Sequence, residues 1–127
     1  MKRIIYSIYV NIPAPEHFGK SKNRNDTVKK ATITVDAFKK HYNRLVESKK
    51  DYADSIGVSF KMYEYDDQYK TFAKNFLKDF PELTGYEVIN FYKIHILCEL
   101  AKDYDEILYL DFDAIPLTTD NFFEAWD

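Results

Sequence analysis

Apolar segments alternate with amphipathic segments along this chain. Segments rich in β-branched and aromatic side chains predict three strands, over residues 3–10, 57–65 and 107–110. Apolar residues that recur at three- and four-residue steps predict three helices, over residues 34–55, 68–80 and 85–102. The last strand is almost wholly apolar, as expected of a strand buried on both faces of a parallel sheet. The pattern predicts an α/β fold: a mainly parallel three-stranded sheet, Rossmann-like and flanked by helices in three layers.

Local signals indicate where the helices begin. Thr34 is the expected N-cap of the first helix, with Asp26 or Thr27 as the caps of an earlier start. Thr84 and Glu87 have the three-residue spacing of a capping box, which predicts the start of the third helix. The segment between the first strand and the first helix, residues 13–26, is predicted to be a loop because of its prolines, glycine and polar residues.

The basic side chains and the cysteine have ordinary structural interpretations. Five basic residues of the first helix fall mainly off its apolar stripe and predict a solvated face: Lys39, Lys40, Arg44, Lys49 and Lys50. Three more in the loop are also expected to be solvated rather than bound to phosphate: Lys20, Lys22 and Arg24. Cys98 lies on an apolar helix face, which predicts a small buried hydrophobe.

Length, charge and cysteine usage limit the class of protein. The 127 residues predict one domain. With 18 basic and 21 acidic residues and a net charge of −3, nothing in the charge favours nucleic acid as a partner. No apolar segment approaches the roughly 18 residues of a membrane span. The single cysteine excludes an internal disulfide, so a cytoplasmic setting is expected.

Two carboxylates follow the last predicted strand. Asp111 and Asp113 come directly after the apolar residues 107–110, at a strand end where open α/β sheets bind their ligands. On an extended strand, residues i and i+2 point the same way, so both carboxylates can converge on one cation. Hard oxygen ligands suit Mg²⁺ or Mn²⁺. The sequence therefore predicts a divalent metal site at Asp111 and Asp113.

The segment from Tyr104 to Asp113, YDEILYLDFD, follows the helix from Asn90 to Ala101. Together they resemble the DXD region of nucleotide-sugar-dependent glycosyltransferases with the GT-A fold. The close resemblance covers residues 86–126. It implies a GT-A nucleotide-binding half, in which Asp111 and Asp113 hold Mn²⁺ or Mg²⁺ against the diphosphate of a nucleotide-sugar donor.

The resemblance also suggests residues that would contact the donor. Asn11 follows the first strand and is a candidate nucleoside contact, or else a turn-forming residue before Ile-Pro. Asp66 or Asp67 would contact the base or ribose, or would cap the second helix. Lys93 would face the donor phosphate or sugar, or would be a lysine whose stem lies along a helix edge. No catalytic residue is assigned.

The expected function is transfer of a sugar from a nucleotide donor to an acceptor such as a glycan. The metal would act as a Lewis acid on the departing diphosphate. GT-A enzymes normally continue past the DXD with strands that bind the acceptor, so residues 1–127 are expected to be a donor-binding domain without that part. Apolar surface that such strands would cover predicts self-association.

Two other functions are compatible with the same residues. In a haloacid-dehalogenase-like phosphoryl transferase, Asp111 would be the nucleophile and Asp113 the acid. The motif of that family has a Thr or Val soon after the second Asp, whereas this chain has Ala114-Ile115-Pro116. Alternatively, the chain is a non-catalytic packing or assembly module whose aspartates cap the turn after a strand.

Overall fold

The protein forms an α/β fold with a short open sheet. The structure, a computed structural model, describes residues 1–12 and 24–125; within that part, the side chains of residues 24–35 are not described. The elements in chain order are β1 (Arg3–Tyr9), α1 (Arg24–Ser55), β2 (Ser59–Glu64), α2 (Asp67–Asp79), α3 (Gly85–Leu100), β3 (Glu106–Tyr109) and a short 3-10 helix (Phe122–Glu124). The predicted α/β class and the parallel three-stranded sheet are confirmed.

The sheet has the strand order β2-β1-β3 and is parallel throughout. Tyr9 of β1 pairs with Glu64 of β2, and Tyr6 of β1 pairs with Tyr109 of β3. The residues that follow the three strands therefore share one edge, called here the carboxyl edge. The chain passes from β1 to β2 on one side and returns to β3 on the other, so the seam between β1 and β3 is the topological switch point. Open α/β sheets bind their ligands at this point.

Alternate residues of β1 face opposite layers of helices, as the period of a strand requires. On one face, Ile4, Tyr6 and Ile8 join a large core cluster with residues of α2 and α3. On the other face, Ile5 packs with Tyr52 and Ala53 of α1 in a smaller cluster. These two layers of helices enclose the sheet and leave its carboxyl edge free to carry the candidate site.

Helix α1 is longer than predicted. It begins at Arg24, well before Thr34, and before the alternative caps Asp26 and Thr27. The sequence from Arg24 to Thr34 contains no proline or glycine, so nothing in it interrupts a helix. Of the predicted loop at residues 13–26, positions 13–23, including Lys20 and Lys22, lie outside the described residues.

The predicted capping box at the start of α3 is confirmed. The Glu87 N–H donates to Thr84 Oγ1 at 3.2 Å, and the Thr84 N–H donates to Glu87 Oε1 at 3.1 Å. Each interaction satisfies a backbone N–H that has no partner within the helix. Helix α3 is thereby held at its first turn, which sets the position of Lys93 two turns further along.

The prediction that Cys98 is buried is wrong, because its side chain is exposed. Helix α3 buries a stripe that consists of Val88, Tyr92, Ile96 and Leu100. It also exposes large apolar side chains: Phe91, Ile94 and Leu97. Since this helix is apolar on most of its circumference, the apolar pattern alone does not identify which side faces the sheet.

The described segment after β3 ends in a single turn of 3-10 helix, Phe122–Glu124. Asn121 is its N-cap and accepts a hydrogen bond from the Phe123 N–H at 3.0 Å. Phe123 is buried against the α1 face of the sheet. Within the part of the chain that the structure describes, no helix is long and apolar enough to cross a membrane.

Candidate metal and nucleotide site

The two predicted metal ligands lie in a turn directly after β3. The strand ends at Tyr109, and the Ala114 N–H donates to the Asp111 carbonyl at 2.9 Å, which closes a four-residue turn. Asp111 and Asp113 are therefore brought near each other by this turn, and the extended strand expected at these positions has already ended. We call residues 111–114 the aspartate turn. Both aspartates are exposed, and both raise the pKa of Tyr109.

Lys93 of α3 reaches the aspartate turn from the face of the sheet that carries α2 and α3. Its Nζ lies 3.6 Å from Asp111 Oδ1 and 5.2 Å from the centre of the Tyr109 ring. The Tyr6 hydroxyl donates to the Lys93 carbonyl at 3.0 Å and so ties α3 to β1 at this residue. The structure thus brings together Lys93 and Asp111, two of the predicted site residues.

Tyr109 is a site residue that the sequence analysis did not identify. Burial raises the pKa of its phenol, and the negative charge of Asp111, a hydrogen bond with that carboxylate and the charge of Asp113 raise it further. The phenol therefore stays protonated and can donate to Asp111. Tyr109 follows Ile107 and Leu108 at the end of β3. The sequence did not indicate a role at the site, because tyrosine is also a common strand residue.

Lys49 of α1 is buried, so the prediction that it belongs to a solvated face is wrong. Its side chain is 0 % exposed, and Nζ donates to the carbonyl of Phe112 at 2.5 Å and to that of Leu45 at 3.0 Å. Burial lowers its pKa, and the charge of Asp113 opposes this effect. The spacing contained a signal, since Leu45, Lys49 and Tyr52 are separated by four and three residues and so share one helix face.

Phe112, between the two aspartates, anchors the turn in an aromatic cluster. Its ring stacks on Tyr9 with 4.4 Å between the ring centres, and it also contacts Tyr42 at 5.7 Å and Phe38 at 5.3 Å. Phe112 is buried, whereas the aspartates on either side of it are exposed. The packing of the ring therefore turns both carboxylates outward.

The remaining predicted residues lie on the carboxyl edge but nearer to β2. Asn11 and Asp66 each follow the paired residues Tyr9 and Glu64 by two positions, so they lie side by side beyond β1 and β2. Asp66 caps α2 by accepting the Tyr69 N–H at 3.0 Å. Asp67 is the first residue of α2 and is exposed. Since β1 separates β2 from β3, Asp66 and Asp111 lie on opposite sides of β1 along the carboxyl edge.

The capping interaction does not use all of the Asp66 carboxylate. A carboxylate has about four lone-pair positions, and the Tyr69 N–H occupies one of them. Asp66 also acts on α3, because its charge contributes to raising the pKa of Tyr92, for which burial is the main cause. The capping and ligand-binding interpretations of Asp66 are therefore compatible.

The donor atoms of the aspartate turn fit Mg²⁺ or Mn²⁺. Among the described residues, no hydrogen bond joins the carboxylate of Asp111 or Asp113 to a backbone N–H, so neither carboxylate serves as a cap there. That part of the chain also contains no group of three or more His, Cys, Asp and Glu side chains that could hold a metal. Mg²⁺ commonly binds through one or two carboxylates and completes its shell with water and substrate phosphates. Two carboxylates therefore suit a cation that arrives with a phosphate ligand.

Comparison of the chain with models of known protein families, with curated proteins and with solved structures finds no match.

Proposed function

We propose that this chain binds a nucleotide-sugar donor together with Mn²⁺ or Mg²⁺, as the donor-binding domain of a GT-A glycosyltransferase. The acceptor, a glycan or a similar molecule, is not specified by the residues described above. A cytoplasmic setting and self-association remain expectations from the sequence.

The observation that carries this proposal is the pairing of Lys93 with Asp111 at the seam between β1 and β3. A carboxylate and an ammonium group 3.6 Å apart lie at the point where open α/β sheets bind ligands. The Lys93 side chain is 29 % exposed and that of Asp111 is 63 % exposed, so both groups are accessible to a ligand. A metal ion and an anionic diphosphate require this combination of negative and positive groups.

Each residue has a role that follows from its position. Asp111 and Asp113 would hold the metal ion, whose positive charge would neutralise the negative charge that develops on the departing diphosphate. Lys93 would turn from Asp111 toward a phosphate oxygen and add a second positive charge. Asn11 and Asp66 or Asp67, further along the carboxyl edge, would contact the nucleoside. An elongated ligand would therefore lie across β3, β1 and β2 in that order.

Thermal unfolding in the presence of candidate donors tests this proposal. The purified chain is heated with a panel of nucleoside diphosphates and nucleotide sugars, with and without Mn²⁺. A ligand present at 100 times its Kd stabilises the folded state by about 2.7 kcal/mol, which is readily measured in a domain of this size. We expect stabilisation by one nucleotide family that requires Mn²⁺ and disappears in Asp111→Asn and Asp113→Asn.

The matched control is Asp103→Asn, which removes an exposed carboxylate just before β3, at the opposite end of that strand. This variant should retain the full Mn²⁺-dependent shift. The absence of a shift with every nucleotide would refute donor binding by this chain and would favour a non-catalytic module. Stabilisation by Mg²⁺ with a phosphate analogue alone would favour phosphoryl transfer instead.

A further inference from the structure

Lys49 is a charged side chain in a place where a charge is unfavourable. Moving an ammonium group out of water costs free energy unless hydrogen bonds or an opposite charge replace the lost hydration. Among the described residues, no carboxylate lies within ion-pair distance of Lys49, and its amine instead donates to two backbone carbonyls. These two hydrogen bonds replace part of the hydration that the buried amine has lost.

The two carbonyl partners of Lys49 are not equivalent. Leu45 is one helical turn earlier in α1, and its carbonyl is within reach of any long side chain at position 49. Phe112 is 63 positions away in the sequence and belongs to the aspartate turn. The hydrogen bond to Phe112 is therefore the one that links Lys49 to a distant part of the chain.

We propose that Lys49 is a positioning residue that holds the aspartate turn in the shape in which Asp111 and Asp113 can bind a metal ion together. The Phe112 carbonyl lies between the two aspartates in sequence, so the hydrogen bond at 2.5 Å fixes the peptide that links them. Lys49 itself is too deeply buried to touch a ligand. The ligand-binding part of this inference rests on the proposed function, whereas the effect on the turn does not.

The position of the turn follows from contacts on both faces of the sheet. From the α1 face, Lys49 holds the Phe112 carbonyl and the aromatic cluster holds the Phe112 ring. From the other face, Lys93 holds the Asp111 carboxylate. Lys93 is free to exchange its partner for a ligand, because its contact is with an exposed side chain. Lys49 has no such freedom, so it maintains the turn whether a ligand is bound or not.

The test compares Lys49→Met with Tyr52→Phe. Lys49→Met keeps an unbranched apolar side chain and removes the amine. Tyr52→Phe is the matched control, because its hydroxyl also joins α1 to the segment after β3, by donating to the Asp120 carbonyl at 2.6 Å. Lys49→Gln, which retains a shorter N–H donor, provides a second variant if Lys49→Met does not fold.

The first measurement is hydrogen exchange of the Ala114 amide, which closes the turn, in the absence of metal. We expect Lys49→Met to accelerate this exchange by about tenfold or more, the effect of losing a hydrogen bond from a charged group. The amides of β1 should change much less, and Tyr52→Phe should leave Ala114 unaffected. Equal acceleration of Ala114 and β1 would mean a general loss of stability and would overturn the proposal, as would no change at Ala114.

The second measurement is Mn²⁺ binding in the presence of a nucleoside diphosphate, followed by electron paramagnetic resonance. Residues that orient metal ligands typically contribute 10- to 100-fold to metal affinity, so we expect the Kd of Lys49→Met to rise by about tenfold or more. An unchanged Kd would overturn the ligand-binding part of the proposal. Failure of the unaltered protein to bind Mn²⁺ would refute the proposed function, and the Ala114 exchange would still decide whether Lys49 holds the turn.

Discussion

The two faces of the sheet bury different kinds of side chain. The face covered by α2 and α3 contains a large cluster of aliphatic and aromatic residues around Tyr92 and Ile96. The face covered by α1 contains a smaller apolar cluster around Ile5 and Ala53. The described part of the chain buries two polar or charged side chains, Ser7 and Lys49. Lys49 lies on α1, and Ser7 lies on the same side of β1 as Ile5, so both face this second layer.

This difference indicates that the two faces have different roles: one mainly stabilises the fold, and the other positions the aspartate turn. Apolar burial contributes about 25 cal/mol for each Å² removed from water, so the face with α2 and α3 supplies most of the hydrophobic stabilisation. The α1 face has the smaller apolar cluster. It holds the aspartate turn through a directional hydrogen bond and ring stacking. A hydrogen bond specifies an atomic position more closely than apolar contact does, because it depends on both distance and angle.

The largest effect is expected from two neighbouring substitutions on β1. Ile4 and Ile5 are 2 % and 0 % exposed but face opposite layers. Truncation of a buried isoleucine to alanine costs about 2–5 kcal/mol. We expect Ile4→Ala to lie near the upper end, because it removes contacts from the larger apolar cluster, and Ile5→Ala near the lower end. Urea unfolding measures both, and equal or reversed costs would contradict the division between the two faces.

The contributions of two buried groups to the pH dependence of stability should differ in sign: that of Lys49 on the α1 face and that of Tyr6 on the opposite face. Burial lowers the pKa of Lys49, so the unfolded chain binds more protons there and stability rises as the pH increases from that lowered pKa toward 10.5. On the opposite face, burial raises the pKa of Tyr6 to about 12 from its ordinary value of 10.0. The folded state then holds the proton longer, so Tyr6 lowers stability between these two pH values, by roughly 2–3 kcal/mol.

Two single variants separate these contributions. In urea unfolding at a series of pH values, Lys49→Met should remove the rise below pH 10.5, the reference value of lysine. Tyr6→Phe should reduce the fall above pH 10.0 without removing it, because burial also raises the pKa values of Tyr9, Tyr92 and Tyr109. An unchanged pH profile in either variant would show that the buried group does not titrate as its surroundings predict.

The smallest effect on stability is expected for Lys93, the cation that reaches the turn from the apolar face. Its pair with Asp111 is partly exposed, and exposed pairs contribute up to about 1 kcal/mol. Lys93→Met should therefore change urea stability by less than this amount, and the change should shrink at high salt. Lys102→Met, which removes an exposed pair with Glu99 after the end of α3, is the control.

Binding should distinguish these two lysines where stability does not. Lys93→Met is expected to weaken nucleoside diphosphate binding by about tenfold or more, since a hydrogen bond from a charged group contributes roughly 1.5–3 kcal/mol. Lys102→Met should leave that affinity unchanged. A loss of affinity in both variants would indicate attraction by general surface charge and not a specific contact.

The arrangement of elements could be predicted from the sequence because it depends on short-range patterns. Strands, helices and the capping box at Thr84 and Glu87 each follow from residues within a few positions of one another. The position of Asp111 after a buried strand likewise follows from local sequence. The ion pair between Asp111 and Lys93 does not follow from local sequence. It depends on how α3 packs against the sheet and on the pairing of β3 with β1.

The burial of Lys49 shows where such patterns fail. A lysine off the main apolar stripe of a helix is normally interpreted as part of a solvated face, which was the prediction for Lys49. Only the tertiary position of the Phe112 carbonyl makes burial of the amine acceptable, and that carbonyl comes from the last third of the chain. The prediction that Cys98 is buried fails for another reason: α3 has apolar residues on its exposed side as well as on its buried side.

The order of the strands also has a consequence for when the site can form. β1 begins at Arg3 and is the middle strand, yet its partner β3 begins at Glu106, so their pairing joins residues 103 positions apart. Closing so large a loop is entropically costly and must precede the contacts that stabilise it. During synthesis from the amino terminus, β1 can therefore pair with β2 while the chain is still growing, and the seam that carries Asp111 is completed only after β3 has left the ribosome.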